Sequence, residues 1–179
     1  DTKEDRTIRD DIMKHPNLPG TKIALLYQTN TRIDLRGDSS LDSIYSDVEY
    51  IARTYFDNPN YLRLDGRPVL YLYLSRVLHR NFILEQVVEL MRQAAADNGG
   101  HDVYIIGDQA FGEAPRPGAS YDPFELLDSV TNYDVYGDIR RVGYAQQDGV
   151  LEYTDKQRRW HDAALASANC DFIPSVTPG

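Results

Sequence analysis

The sequence predicts a single α/β domain built around a mostly parallel β-sheet. Five short apolar runs of strand length recur along the chain, and amphipathic stretches or long loops separate them. With 179 residues, the chain is long enough to bury the core of one domain. Apolar strands joined by helical crossovers form parallel sheets that helices cover. Two architectures fit this pattern: an open doubly wound sheet, or part of a (β/α)8 barrel.

The first third of the chain predicts the order helix, strand, helix. Residues 4–15 have the pattern of a helix end, which a segment containing Pro and Gly closes. Residues 22–27 form a nearly continuous apolar run of strand length. Four apolar residues between positions 41 and 51 then recur with helical spacing. We expect Ser40 to cap this helix and the helix to end near Phe56.

A hairpin, a buried strand, a helix and another strand are predicted in the middle of the chain. Asp65-Gly66 lies between two short β-type pieces, which is a strong hairpin signal. Residues 69–74 are typical of a buried strand, and residues 81–97 have helical spacing. Residues 103–106 form the next apolar run.

The last third of the chain begins with a loop. Residues 109–123 contain Pro and Gly and predict an irregular segment, and residues 124–127 predict one helical turn. A strand is expected over 130–136, a helix over 152–168 and a final strand over 172–176.

Composition narrows the classes of partner. The formal net charge is −9, which disfavours binding to nucleic acid, to polyanionic substrates and to anionic membranes. No apolar run is long enough to cross a bilayer. One Cys excludes a disulfide framework and a multi-cysteine metal cluster, and the spacing of the four His predicts no metal site and no cofactor. A neutral substrate fits better, and the 13 Tyr suit sugar recognition, because Tyr combines an apolar ring with a polar tip.

Four phrases resemble one enzyme family. The first is residues 55–73, YFDNPNYLRLDGRPVLYLY, and the others are Ile106-Gly107-Asp108, residues 131–137 (TNYDVYG) and residues 172–179 (FIPSVTPG). Together, in this order, they resemble glycoside hydrolase family 99, the endo-α-mannosidase-like family, with its bacterial and archaeal relatives of the family 71/99 type.

The resemblance implies a (β/α)8 TIM barrel that cleaves α-mannosidic or similar linkages within a glycan, with retention of configuration. In that family two Glu in a phrase like Asn-Glu-Trp-x-Glu do the chemistry, and no Glu-x-x-Glu occurs in this chain. The family places the phrase after the loop that matches Pro178-Gly179. We therefore expect residues 1–179 to form one partial domain with about strands three to seven, inactive alone, and its catalytic residues are not predicted.

Other functional classes remain open at this stage. The chain can instead be a non-catalytic carbohydrate-binding barrel domain or one associated with polysaccharide assembly. A third possibility is an unrelated α/β domain, whose strand order would differ from that of a barrel arc. An incomplete barrel also leaves edge strands near residues 22–28 and 172–176, which predicts poor solubility or self-association.

Six residues are candidate substrate-binding residues, because they end predicted strands at the sheet edge where both architectures bind ligands. They are Tyr133, Asp134, Tyr136, Asp108, Gln28 and Tyr73. Tyr rings can stack on sugar rings, and Asp or Gln can hydrogen-bond hydroxyl groups. Strand alternation places Tyr133 and Asp134 on opposite faces, so only one of these two can face a central site.

Each candidate has a structural alternative. The Tyr side chains can pack against the next helix, and Asp108 can cap loop N–H groups. Glu113 can pair with Asp108, although a solvated loop position is the simpler interpretation. We expect Tyr73 and Ser75 to share one strand face. Trp160 is expected in the core rather than at a sugar site.

Overall fold

The computed structural model describes residues 2–18, 20–29, 33, 41–109, 112–116, 123–132, 147–167 and 169–175. Within these ranges the strands are β1 (Leu25–Tyr27), β2 (Arg63–Leu64), β3 (Arg67–Leu72), β4 (Tyr104–Asp108), β5 (Ser129–Thr131) and β6 (Asp171–Ile173). The sheet has the order β1-β3-β4-β5-β6, and every neighbouring pair in that order is parallel. Strand β2 pairs antiparallel with β3. The predicted parallel sheet is therefore confirmed.

The strand order distinguishes the two architectures. A doubly wound sheet reverses its strand order at a switch point. Here the parallel strands follow one another across the sheet in sequence order, so right-handed crossovers place the connecting helices on a single face. This is the arrangement of a (β/α)8 barrel arc.

Helices lie between the strands at most of the predicted positions. They are α1 (Lys3–Arg6), which continues as a π-helical segment (Thr7–Ile12), α2 (Asp42–Ile51), which continues as another (Ala52–Phe56), α3 (Ser75–Arg80), α4 (Leu84–Asp97) and α5 (Gln147–Ala166). The predicted helix end at Phe56 is confirmed. Helix α2 has Leu41 as its N-cap residue, without a side-chain cap, and Ser40 lies outside the described residues.

Two helical predictions need correction. The structure has a separate short helix, α3, where the sequence predicted none, because the chain turns sharply at Leu74 and starts a helix at once. Helix α5 begins at Gln147, five residues before the predicted start. The predicted turn near residue 124 is a 3-10 turn at Pro123–Glu125. None of the described helices is long and apolar enough to cross a membrane.

The two faces of the sheet have different environments. The outer face packs against the helices, and Leu70, Ile105 and Val130 belong to the same buried cluster as side chains of α2, α4 and α5. The inner face carries a smaller apolar cluster around Val69, Tyr104 and Ile106. Leu26 on this face keeps 49% of its surface exposed. One helix-covered face and one inner face are what a barrel wall requires.

The hairpin before β3 is confirmed. Asp65 and Gly66 have φ angles of 51° and 78°, so both central residues are left-handed, as in a type I′ turn. This turn pairs Arg63 with Pro68 and Leu64 with Arg67. It sets the register with which β3 enters the sheet.

An ion cluster ties together the amino ends of the strands. Asp128, directly before β5, lies 2.7 Å from Arg67 Nη1 and 3.1 Å from Arg92 Nη2. Its carboxylate also accepts a hydrogen bond from the Ile105 N–H at 2.8 Å. Asp128 thereby joins β3, β4, β5 and α4. A contact of this kind at the amino end of a barrel serves stability, because ligands bind at the opposite end.

Candidate functional site

Three of the six candidate residues lie in one row at the carboxyl ends of neighbouring strands. Leu26 pairs with Tyr71 and Leu72 pairs with Gly107, so continuing the register places Gln28 beside Tyr73 and Tyr73 beside Asp108. Alternation along the strands puts these three residues on the inner face, with Leu26, Tyr71 and Ile106 one step below them. The register thus places these three candidates at the same edge of the sheet, as expected from the sequence, and their role in substrate binding stays a prediction.

The row differs in accessibility along its length. Gln28 is exposed and Tyr73 is half-buried, whereas Asp108 is only 1% exposed. Burial raises the pKa of Tyr71 in the row below, so its hydroxyl stays protonated and able to donate. The accessible part of the row therefore lies on β1 and β3, and Asp108 on β4 is the buried end of the row.

Asp108 contacts the turn that follows β3. The Leu74 N–H donates to Asp108 Oδ2 at 3.5 Å, a long hydrogen bond. Capping of loop N–H groups was the structural alternative for this residue, and this contact is of that type. The same side chain lies on the inner face beside Thr131, with which Asp108 pairs across β4 and β5.

The turn after β3 overturns the prediction that Tyr73 and Ser75 share a face. Leu74 has φ 52° and ψ 36°, a left-handed conformation that reverses the direction of the chain. Ser75 consequently begins α3 and is fully buried on the helix side, where a Cβ on outward-facing Gly107 would lie 2.7 Å from Ser75 Oγ. Tyr73 stays on the inner face.

Three hydroxyl groups extend the sheet pairing past the last backbone pairs. Thr29 Oγ1 donates to the Tyr73 carbonyl at 2.8 Å, and Ser75 Oγ donates to the Asp108 carbonyl at 2.9 Å. Thr131 Oγ1 donates to the Ile173 carbonyl at 2.8 Å. Each hydroxyl thus satisfies a carbonyl on the next strand of the sheet. Sequence reasoning missed Thr29 and Thr131 in this role, although each directly follows or ends an apolar strand run.

Glu113 and Trp160 have structural contacts. Glu113 does not pair with Asp108 in the contacts that the structure gives, because its carboxylate lies 3.3 Å from Arg159 and 3.7 Å from Lys156 on α5. Trp160 is 1% exposed, which confirms the prediction of a core position. Its indole packs edge-on against Phe124 at 6.1 Å between ring centroids.

The remaining three candidates, Tyr133, Asp134 and Tyr136, lie outside the described residues, as does the whole predicted strand end at 133–136. Asn132, the residue just before them, is described and buried. Among the described residues, no group of three or more His, Cys, Asp or Glu could hold a metal ion. The thiol of Cys170 is buried, and its Sγ lies 3.6 Å from the Asp171 carbonyl.

Comparison with solved structures identifies the fold. The chain is similar to a glycoside hydrolase-like protein with a TM-score of 0.56 and 27% sequence identity, over 79% of this chain and 39% of that one. The GH99 endo-alpha-mannosidase from Bacteroides thetaiotaomicron also matches, with a TM-score of 0.46 and 19% identity, over 78% of this chain and 39% of that one.

The chain thus spans about two fifths of the length of these solved structures, with 39% of each covered. No protein-family model and no curated protein matches the sequence. The fold class predicted from the sequence, part of a (β/α)8 barrel of the glycoside hydrolase-like type, is confirmed.

Proposed function

We propose that this chain is part of a glycoside hydrolase barrel that cleaves α-mannosidic or related linkages within a glycan, with retention. The observation that carries the proposal is the row of Gln28, Tyr73 and Asp108 on the inner face at the carboxyl ends of consecutive parallel strands. Ligands of such barrels bind at this end. The similarity to a glycoside hydrolase-like protein supports the same class of reaction.

The row suits a neutral sugar. Gln28 offers an amide that both donates and accepts, and Tyr73 offers a ring face and a hydroxyl. Asp108, beside Tyr73 in the same row, accepts from the Leu74 N–H in the turn that follows Tyr73. In this proposal Tyr133, Asp134 and Tyr136 extend the same subsite from the neighbouring strand. The net charge of −9 agrees with an uncharged substrate, because it would repel an anionic one.

The chemistry in this proposal needs two carboxyl groups that follow residue 179. One protonates the glycosidic oxygen as the bond to the leaving sugar breaks. The other assists attack by the sugar's own 2-hydroxyl, which forms an anhydro-sugar, and water then opens that intermediate. This differs from the common retaining scheme, in which a carboxylate attacks directly.

The first test is to read the gene past the codon for Gly179 and to assay its full product on α-mannan oligosaccharides. We expect a Glu-x-x-Glu phrase and release of internal fragments, and we expect Tyr73→Phe and Asp108→Asn each to lower kcat/KM by about 10-fold or more. Asp65→Asn is the matched control, because it makes the same chemical change in an exposed turn at the opposite end of β3. Absence of both cleavage and oligosaccharide binding would overturn the proposal.

A non-catalytic carbohydrate-binding domain, or one associated with polysaccharide assembly, is the second candidate. It is favoured by one observation: the chain contains polar strand ends suited to sugar but no Glu-x-x-Glu pair. Calorimetric binding of α-mannan oligosaccharide without turnover, in a gene product that lacks the phrase, would select this function instead.

A further inference from the structure

Four buried polar residues form a continuous hydrogen-bonded chain on the helix side of the sheet, which is the face opposite to the row of candidate residues. Its links run through side chains and through backbone carbonyls. We call Ser75, Gln109, Asn132 and Trp160 the buried polar chain. None of the four is more than 3% exposed. They come from α3, the residue after β4, the residue after β5, and α5.

The contacts run from one side of the site to the other. Gln109 Nε2 donates to Ser75 Oγ at 2.8 Å, and Ser75 Oγ donates to the carbonyl of Asp108 at 2.9 Å. On the other side, the Asn132 amide is assigned the orientation that satisfies both of its neighbours: it donates to the backbone carbonyl of Gln109 at 2.9 Å and accepts from Trp160 Nε1 at 2.7 Å. Trp160 Nε1 also donates to the Gly112 carbonyl at 3.1 Å. The Gln109 N–H itself donates to the Thr131 carbonyl at 2.7 Å.

Two glycines, which lack a side chain, leave room for the buried polar chain. A Cβ on Gly107 would lie 2.3 Å from Leu127 Cδ1 and 2.7 Å from Ser75 Oγ. A Cβ on Gly112 would lie 2.8 Å from the Gln109 carbonyl and 2.9 Å from Arg76 Cδ. Real side-chain atoms do not approach so closely. The packing around the buried polar chain therefore depends on the absence of side chains at both positions.

A core built only for stability would fill this volume with apolar side chains. Buried polar groups gain little net free energy over apolar groups of the same shape, and they cost much when one partner is lost. Hydrogen bonds are directional, so each of these bonds fixes the orientation of a particular carbonyl group. The carbonyls fixed here belong to Asp108 and Gln109, at the end of β4, and the Asn132 link reaches the residue before Tyr133.

We propose that Gln109 is a positioning residue of the glycan site: its side-chain amide holds Ser75, which holds the Asp108 carbonyl, and its backbone carbonyl accepts from Asn132 at the end of β5, so that together these contacts set the placement of Asp108. The inference rests on the proposed function for its substrate. Gln109 is fully buried and does not itself touch glycan. Misplacement of a binding group by about 1 Å can cost about 100-fold in rate, so loss of this link should show in catalysis.

The first experiment needs no activity. Hydrogen exchange of the full gene product is measured by mass spectrometry for Gln109→Met, which keeps the length and removes the amide, and for Val88→Ala. Val88 is buried on α4, a helix that contributes none of the four residues of the buried polar chain. We expect Gln109→Met to speed exchange selectively in peptides covering 72–78 and 104–109. We expect Val88→Ala to speed it in the α4 peptides.

The second experiment uses the α-mannan oligosaccharide assay. Gln109→Met and Ser75→Ala should each lower kcat by about 10-fold to 100-fold, and the double variant should be little worse than either single one, because both break the same chain. Val88→Ala is expected to keep kcat/KM within about two-fold despite a comparable fall in Tm.

The outcomes separate the two proposals. Selective exchange at the ends of β3 and β4 in a protein that neither cleaves nor binds glycan supports positioning by Gln109 and rejects the proposed function. A glycan-cleaving protein in which Gln109→Met behaves like Val88→Ala in exchange and in kcat rejects positioning and leaves the proposed function standing.

Discussion

Among the described residues, those other than glycine with left-handed backbone are Asp65, Leu74 and Phe82, and the reasons at Asp65 and Leu74 differ. Asp65 is in a type I′ turn, where Asp is well tolerated. Leu is not a residue type that favours this conformation, and left-handed backbone at an L residue costs about 1–2 kcal/mol. The contact of its N–H with Asp108 and the burial of the following Ser75 hold it there. Strain of this kind is typical of functional sites.

The turn glycine gives a prediction at the residue scale. Gly66→Ala should lower the free energy of unfolding by about 1 kcal/mol, because Gly66 has φ 78° and an Ala there pays the left-handed penalty. No atom lies within 4 Å of the added Cβ, so the loss is conformational rather than steric. Urea unfolding measures it.

The control for this turn is Asp65→Asn. Asn tolerates left-handed backbone as well as Asp does, so this variant should unfold within about 0.5 kcal/mol of the parent chain. Equal stability of Gly66→Ala and the parent chain would contradict the type I′ turn.

At the scale of elements, the first helical segment is attached to α2 and its π-helical extension by a cluster around Asp5. Tyr55 and Tyr50 donate to the Asp5 carboxylate at 2.5 Å and 2.8 Å, and Arg9 lies 3.3 Å away. Burial alone would raise the pKa of Asp5, but the hydrogen bonds from Tyr55 and Tyr50, together with the Arg9 charge, hold it below its usual value. The ionised carboxylate is thus part of the contact.

The cluster predicts a particular dependence of stability on pH. A carboxyl group with a lowered pKa in the folded state stabilises fully above its unfolded pKa, about 3.9, and this contribution is lost as the pH falls through the folded value. Asp5→Asn should therefore lower stability at pH 7 and make a smaller difference near pH 3. Urea unfolding at both pH values measures this, with Asp65→Asn as the control. An equal loss at both pH values would show that packing, not charge, holds the segment.

The elements also show where sequence reasoning succeeds and where it fails. The Asp65-Gly66 turn and the apolar strands were predictable, because turn chemistry and strand burial are local properties that single residues carry. The side of the sheet on which Ser75 lies was not predictable, because it depends on the left-handed turn at Leu74, and Leu rarely signals such a turn. Gln109 and Asn132 likewise become functional candidates only through partners distant in the sequence, Ser75 and Trp160.

At the scale of the whole molecule, the two ends of the strands have different tasks. The amino ends carry the ion cluster around Asp128, which ties charged side chains to one another and to backbone. The carboxyl ends carry the buried polar chain and the row of Gln28, Tyr73 and Asp108. In (β/α)8 barrels the amino end of the strands serves stability and ligands bind at the carboxyl end, which is where the proposed site lies.

The order of the strands predicts self-association of the 179-residue chain. Among the described strands, β1 and β6 each pair on one side only, and Leu26 on the inner face of β1 is half exposed. Unpaired edges and an uncovered apolar face favour pairing with a second copy. Light scattering after size exclusion should show dimers or larger species. A monomer with a sharp two-state transition would contradict this.

Matched substitutions locate the association. Leu26→Lys places a charge on the inner face of the β1 edge and should shift the chain toward monomer. Leu165→Lys makes the same change on the exposed surface of α5 and should leave the association unchanged. An equal effect of both variants would point to general solubility rather than to the edge.

The indole of Trp160 has one more consequence. It is the only tryptophan in the chain, and its N–H donates to the Gly112 carbonyl at 3.1 Å and faces the Asn132 amide on the helix side of the sheet. Tryptophan emission, excited at wavelengths that the 13 tyrosines do not absorb, therefore originates at one place in these 179 residues, beside Asn132. The chain thus carries its own fluorescent reporter. A sugar that orders or loosens the strand ends would change the wavelength and intensity of this emission, and no label is needed.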